Sequence, residues 1–324
     1  MVVTWIKFIA LLILVYIFGS KVTESSDIIA EKKGWGRAFM GVVFISMVTS
    51  FPELFTGISA ASIVKSPEIS LGQIVGSCIF NLTIIALIQL FYRRNSLFKN
   101  NSKNYLMPLL YSFFLILLFT SSLLISFKVQ ILNVGISSVI ILVVYILFLH
   151  NIFTNRKSGD SAEPNYEKES LKKAVISFAV SSVVIIAVGF YLPIVGKELA
   201  VLMGWTDSFV GVIFLAFVTS FPELIVSVTA AKLGAFEMLL GNIAGSNLFN
   251  IAIIFFIDIF YFSGDIIADV TDNNIFYIGT IAATMNLILF FTLFRGKVIR
   301  TAFKIPLNSI LILILYVISL GIIY

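Results

Sequence analysis

Apolar stretches separated by short polar or glycine-bearing breaks run the length of the chain, each long enough at about 20 residues to cross a hydrocarbon layer about 30 Å thick. The pattern predicts an all-α polytopic membrane protein with ten transmembrane helices at residues 3–28, 37–64, 69–92, 105–126, 129–153, 171–199, 206–234, 237–262, 273–294 and 304–323. A single sizeable hydrophilic segment, Asn155 to Lys173, divides the helices five and five. It is too short for a domain and reads as a linker. The chain therefore falls into a five-helix half (1–154), a linker (155–170) and a second five-helix half (171–324). The apolar run Phe8 to Phe18, after Lys7, has the look of a signal-peptide core. No A-x-A-like cleavage site follows it, so a retained span is expected.

The two halves repeat one another. GVVFISMVTSFPEL at 41–54 matches GVIFLAFVTSFPEL at 211–224 in ten of fourteen positions, and GQIVGSCIFN at 72–81 matches GNIAGSNLFN at 241–250 in six of ten. The spacing is also kept: Glu53 to Gly72 is 19 residues and Glu223 to Gly241 is 18. Chance similarity among Leu, Ile and Val would not reproduce T-S-F-P-E followed by G-x-x-G-S-x-x-F-N. With an odd number of spans in each half, the second copy must enter the membrane upside down relative to the first.

Composition and charge support this layout. The chain is 59% apolar and 12% charged, with 32 Phe, against roughly 45–50% and about 25% in soluble domains. Those values exclude a soluble enzyme, a disordered chain and a nucleic-acid module, despite the net charge of +5. The one cysteine, Cys78, has no partner for an internal disulfide. Of the 22 Lys and Arg, 18 fall at the linkers after predicted helices 1, 3, 5, 7 and 9, and 4 on the opposite side. The positive-inside rule then puts both termini outside and the central linker in the cytoplasm.

Most acidic residues lie in linkers or at span ends. Glu53 and Glu223 do not: each sits near the middle of a span, at matching repeat positions. An ionised carboxylate at membrane depth is costly unless it faces a partner or a wet cavity. A helix would hold Thr49 and Ser50 beside Glu53, four and three residues away, and Thr219, Ser220 and Glu223 repeat the arrangement. Pro52 and Pro222 each remove a backbone donor and free carbonyls in the preceding turn. Hydroxyls, carbonyls and a carboxylate are oxygen donors that suit hard cations such as Na⁺ or Ca²⁺. The second block adds Ser77 with Asn81 and Ser246 with Asn250, each pair four apart, and Gly72/Gly76 and Gly241/Gly245 as small-xxx-small faces. The blander alternatives are a glutamate that glues helices, hydroxyls bonded back to their own helix, and glycines that serve packing alone. Inverted repeats with helices interrupted at matching positions are the signature of alternating access.

These blocks resemble the α-repeats of the sodium/calcium exchangers of the cation/calcium antiporter superfamily. The match lies at residues about 41–82 and 211–251, including T-S-x-P-E and G-S-x-x-x-N, and the size is similar to archaeal and bacterial members. The resemblance implies that Glu53 and Glu223 are central carboxylates shared by Ca²⁺ and Na⁺. It implies Thr49 and Thr219 at the Ca²⁺ site, and Ser50, Ser77, Ser220 and Ser246 at flanking Na⁺ sites. Asn81 and Asn250 would close the middle, with carbonyl donors at Ser46 and Ala216. Three departures from the family pattern stand out: Val48 and Val218 replace the usual Gly before Thr-Ser, Gln73 replaces Asn, and Asn250 stands where some members carry Asp. Stiff valines predict limited unwinding, and the missing Asp weakens a potassium-dependent reading.

Together these readings predict a secondary active antiporter, not an enzyme. It exchanges Na⁺ for Ca²⁺ by alternating access in the cell membrane, with no cofactor, no nucleic acid and no obligate protein partner beyond the lipid bilayer. A proton/calcium antiporter is the nearest rival and a passive cation channel a more distant one. An intramembrane hydrolase fares worse, because the only histidine, His150, lies at a span end far from the serine-bearing repeats. Asp258 lacks a midplane Asp partner and is expected to face the external side from a span end.

Overall fold

A computed structural model describes residues 2–91, 103–125, 129–131, 133–154, 166, 168–204, 216–296, 298–300 and 305–323. Most of the expected linker, residues 205–215 at the start of the seventh predicted helix, and basic residues such as Arg93, Arg94, Arg156 and Lys157 lie outside the described residues.

The described chain is almost entirely helical. Its helices are α1 (Val2–Lys33), α2 (Arg37–Val64), α3 (Pro67–Phe91), α4 (Lys103–Leu124), α5 (Ile136–Thr154), α6 (Leu171–Met203), α7 in two pieces (Ala216–Thr219 and Phe221–Lys232), α8 (Phe236–Ile259), α9 (Asn274–Arg295) and α10 (Leu307–Ile323). Among the described residues, eight of these are long and apolar enough to cross a membrane, and α7 and α10 are shorter. Ile13, Ile17, Leu147, Val183, Phe291 and Val317 are exposed on the outer surfaces, where hydrocarbon is their favourable solvent. The protein is an all-helical polytopic integral membrane protein.

The fifth predicted helix begins at Ile136 and not at 129. Gln130–Ile131 and Val134–Gly135 instead pair as a short antiparallel hairpin, turned at Asn133 with φ 66°. Asparagine is one of the few residues that enters this left-handed region readily. Asp258 stands at a helix end, as expected, and its burial was not foreseen. Its carboxylate turns inward, 1% exposed, accepting hydrogen bonds from Gly135 N at 2.8 Å and Ile266 N at 2.9 Å. Two buried backbone N–H groups from different loops thereby find an acceptor, so the carboxylate ties the hairpin to the segment after α8.

Helix α8 is the hub, with 89% of its apolar window buried against 22% for α1. It packs on α2, α3, α4, α5 and α7. Its contact with α2 is backbone on backbone: a Cβ at Gly245 would lie 2.4 Å from Val42 O, and one at Gly241 2.5 Å from Ala38 O. Only glycine permits that approach. Helices α1 and α6 lie against each other, and each also covers one interrupted helix. A Cβ at Gly189 on α6 would lie 2.3 Å from Pro52 Cγ, and one at Gly19 on α1 would lie 3.1 Å from Ile225 Cγ2. At one end, Arg37 forms a bidentate ion pair with buried Asp27, and Tyr166 joins it, its hydroxyl donating to Asp27 at 3.1 Å and its amide to Glu31 at 3.0 Å. That network holds residue 166 to α1.

Candidate cation site

The site is built by two helix interruptions. Pro52 and Pro222 occupy the first turn after each break, where a missing N–H costs nothing. The break itself is confined to one residue, Ser50 with φ −92° and ψ 6° in α2, and Ser220 with φ −85° and ψ 8° in α7. Backbone bonding continues around both: Ser50 N to Ser46 O at 3.0 Å, and Ser220 N to Ala216 O at 3.1 Å. This is the limited unwinding expected beside Val48 and Val218. Upstream in α2, Met40–Ile45 winds as a π-helix, a local irregularity frequent near functional sites.

Glu53 and Glu223 are fully buried, and each is engaged by the opposite repeat. Ser50 Oγ donates to Glu223 Oε1 at 3.0 Å, and Ser220 Oγ donates to Glu53 Oε1 at 3.0 Å. Each serine hydroxyl thus donates to the glutamate of the other repeat and not to the one three residues along its own helix. Ser246 Oγ also reaches Glu223 Oε1 at 3.5 Å. Thr49 and Thr219 donate at 3.3 Å to the carbonyls of Ser46 and Ala216, so those two carbonyls do line the Thr-Ser turns.

All twelve expected residues are buried: Ser46, Thr49, Ser50, Glu53, Ser77, Asn81, Ala216, Thr219, Ser220, Glu223, Ser246 and Asn250. The structure does not join Asn81 to Asn250. Asn81 Nδ2 donates to Asn247 Oδ1 at 3.0 Å, and Asn247 Nδ2 donates to the Cys78 carbonyl at 3.2 Å. Asn247 and Asn242 are residues that sequence reasoning missed. Asn242 accepts from Thr49 Oγ1 at 3.5 Å and donates to Ser227 Oγ at 3.3 Å. A polar side chain every fourth residue on α8, at Asn242, Ser246 and Asn250, was the available signal.

Several buried polar atoms have no hydrogen-bond partner among the described residues: Oε2 of Glu53 and of Glu223, Ser77 Oγ, Asn81 Oδ1 and both amide atoms of Asn250. Buried polar groups are normally satisfied, so the free carboxylate oxygens of both glutamates call for a ligand. Among the described residues, no group of three or more His, Cys, Asp or Glu side chains converges. The donor set is two carboxylates among neutral hydroxyl and amide oxygens, which suits a hard cation and not a soft one.

A helical membrane fold with two interrupted helices meeting at buried carboxylates is that of a membrane ion transporter. The chain belongs to the sodium/calcium exchanger protein family, whose model matches residues 3–153 and 173–324. Family membership places it among cation/Ca²⁺ antiporters. It is 29% identical over 248 residues to an uncharacterized membrane protein of Methanocaldococcus jannaschii, covering 74% of this chain and 76% of that one. It is 32% identical over 101 residues to the sodium/calcium exchanger MaX1 of Methanosarcina acetivorans, covering 31% and 28% respectively. A solved structure of the sodium-calcium exchanger NCX_Mj, soaked with 10 mM Na⁺ and zero Ca²⁺, superposes with a TM-score of 0.72 at 25% identity, covering 99% of both chains.

Proposed function

We propose that the protein exchanges Na⁺ for Ca²⁺ across the cell membrane by alternating access, with both ions competing at Glu53 and Glu223. The observation that carries this reading is the reciprocal pair of Ser50–Glu223 and Ser220–Glu53 hydrogen bonds, which leaves one oxygen of each carboxylate free. In this reading Thr49 and Thr219 complete the Ca²⁺ position, Ser50, Ser77, Ser220 and Ser246 line Na⁺ positions, and the Ser46 and Ala216 carbonyls and the Asn81 and Asn250 amides supply neutral oxygens. The two halves are inverted five-helix repeats of a ten-span protein with both termini outside and the linker in the cytoplasm. The charge asymmetry and the two matched family segments support that layout.

The mechanism follows from charge. Two ionised glutamates give the empty site about −2, which is unfavourable to carry through a rearranging low-dielectric protein. One Ca²⁺ cancels it, as do two or more Na⁺, so the loaded protein alternates and the empty one resists. Inward Na⁺ movement then drives Ca²⁺ outward without a cofactor and without an enzymatic step. If more than two Na⁺ enter per Ca²⁺, the membrane potential adds about 2.3 kcal/mol per net charge per 100 mV.

Purified protein in sealed liposomes provides the test. Na⁺-gradient-driven ⁴⁵Ca²⁺ uptake is expected in the wild type and lost in Glu53→Gln and Glu223→Gln. Normal uptake in both variants rejects the site. Uptake driven by a pH gradient without Na⁺ replaces Na⁺ with H⁺ as the counter-ion.

A further inference from the structure

Gln73 on α3 and Asn242 on α8 hold corresponding positions in the two repeats, each directly after the first glycine of G-x-x-G-S. Each opens a stripe of polar side chains spaced four apart: Gln73, Ser77 and Asn81 on one helix, and Asn242, Ser246 and Asn250 on the other. All six are fully buried. The two leading amides are nevertheless used differently. Asn242 is held at both ends, by Thr49 at 3.5 Å and Ser227 at 3.3 Å. Gln73 is held at neither, since both its Oε1 and its Nε2 lack a hydrogen-bond partner among the described residues.

The repeats also differ four residues after each glutamate. Ser227 follows Glu223 and receives the Asn242 amide, whereas Gly57 follows Glu53 and has no side chain to offer. The Gly57 carbonyl is taken by Ser70 Oγ at 2.9 Å, and Ile257 Cδ1 stands 2.4 Å from where a Cβ would be. No serine could therefore be accommodated there without displacing Ile257. A buried amide with neither group satisfied is costly to keep, and such groups call for an explanation.

We propose that the Gln73 side-chain carbonyl is a cation ligand on one side of the site only, one helical turn beyond Ser77, for which the opposite side has no equivalent. This rests on the exchange reading above and on its orientation, which runs α3 from the external to the cytoplasmic side. Gln73 then lies about 6 Å outward of Ser77 along the helix axis, on the external half. Asn242 lies by the same argument on the cytoplasmic half, where its hydrogen bonds hold it in place. No partner among the described residues fixes the Gln73 amide, so its oxygen is free to turn toward a passing Na⁺ or Ca²⁺, for which a neutral amide oxygen is a suitable hard donor. The consequence is asymmetry: the external face gains a staging ligand between the mouth and the glutamates.

The experiment compares right-side-out and inverted membrane vesicles from cells expressing the protein, measuring Na⁺-dependent ⁴⁵Ca²⁺ exchange and the half-saturating Na⁺ and Ca²⁺ at each face. Gln73→Leu removes both amide groups at similar size. It is expected to raise external half-saturation about three- to tenfold and to change the external-to-cytoplasmic ratio by the same factor. Gln73→Asn, carrying the second repeat's own residue, withdraws the oxygen by one methylene and is expected to move the ratio in the same direction by less. It supplies the readout if the Leu variant fails to assemble. Gln73→Glu is expected to lower the external half-saturating Ca²⁺. Equal shifts at both faces, or an unmoved ratio, overturn the proposal. Absence of Na⁺-dependent exchange in the wild type instead rejects the exchange reading, so the two failures are distinguishable.

Discussion

Ser50 donates its hydroxyl to Glu223 at 3.0 Å, a partner 173 residues away, although Glu53 lies three residues along the same helix. Ser220 returns the arrangement to Glu53. Each carboxylate is therefore positioned by the repeat to which it does not belong, so neither half of the chain completes its own site.

Crossed pairing makes a direct prediction for double-mutant cycles. Ser50→Ala combined with Glu223→Gln should show coupling in Ca²⁺ binding, since a hydrogen bond to a charged group is worth about 1.5–3 kcal/mol. Ser50→Ala with Glu53→Gln should be close to additive by comparison. Isothermal titration of the purified variants measures both, and a larger coupling within α2 than between the helices contradicts the crossed geometry.

Neutralising the glutamates should separate stability from ion binding. Two buried carboxylates without a cationic partner among the described residues weigh against folding when no ion is bound. Glu53→Gln and Glu223→Gln are expected to keep or raise the ion-free Tm while the Ca²⁺ concentration needed to raise the Tm increases at least tenfold. Thermal melts across a Ca²⁺ series give both numbers.

Close approach of α2 and α8 makes Gly245 intolerant of any side chain. A Cβ there would sit 2.4 Å from Val42 O and 2.7 Å from Ser46 Oγ, and the first of these is backbone that cannot swing aside. Gly245→Ala should cost about 1–3 kcal/mol by overpacking and impair transport, because Ser46 is pushed. Gly321→Ala, with nothing within 4 Å, is the control and should leave the Tm unchanged.

Tyr166 supplies a prediction for pH. Burial, reinforced by Asp27, holds its phenol up at about 12. The protonated hydroxyl is the form that donates to Asp27, so its contribution is complete below the ordinary tyrosine pKa and is lost as pH rises through about 12. Tyr166→Phe should therefore lower stability by about 0.5–1.5 kcal/mol at neutral pH and remove the Tyr166-dependent fall at high pH. Melts of the two proteins between neutral and strongly alkaline pH check the sign.

Much of the fold is legible in the chain because membrane insertion is governed by local hydrophobicity. Helix limits such as 37–64 agree with α2 at both ends, since a run of apolar residues must satisfy its own backbone in hydrocarbon. The fifth helix was misplaced at its start because the hairpin at 130–135 is as apolar as a helix turn and depends on one left-handed residue, Asn133. The burial of Asp258 was not legible either, because its partners, Gly135 and Ile266, lie in other elements.

By itself, the sequence determined the all-helical membrane class, the order of the apolar segments, the duplication, and which few polar residues lie within apolar segments. These are properties of one dimension, set by segment length and by the cost of burying charge. Only the tertiary structure decided which hydroxyl serves which carboxylate, that Asn242 and Asn247 join the site, and that the Gln73 amide is left without a partner among the described residues. Those outcomes depend on helices from opposite halves meeting at the Ser50 and Ser220 interruptions.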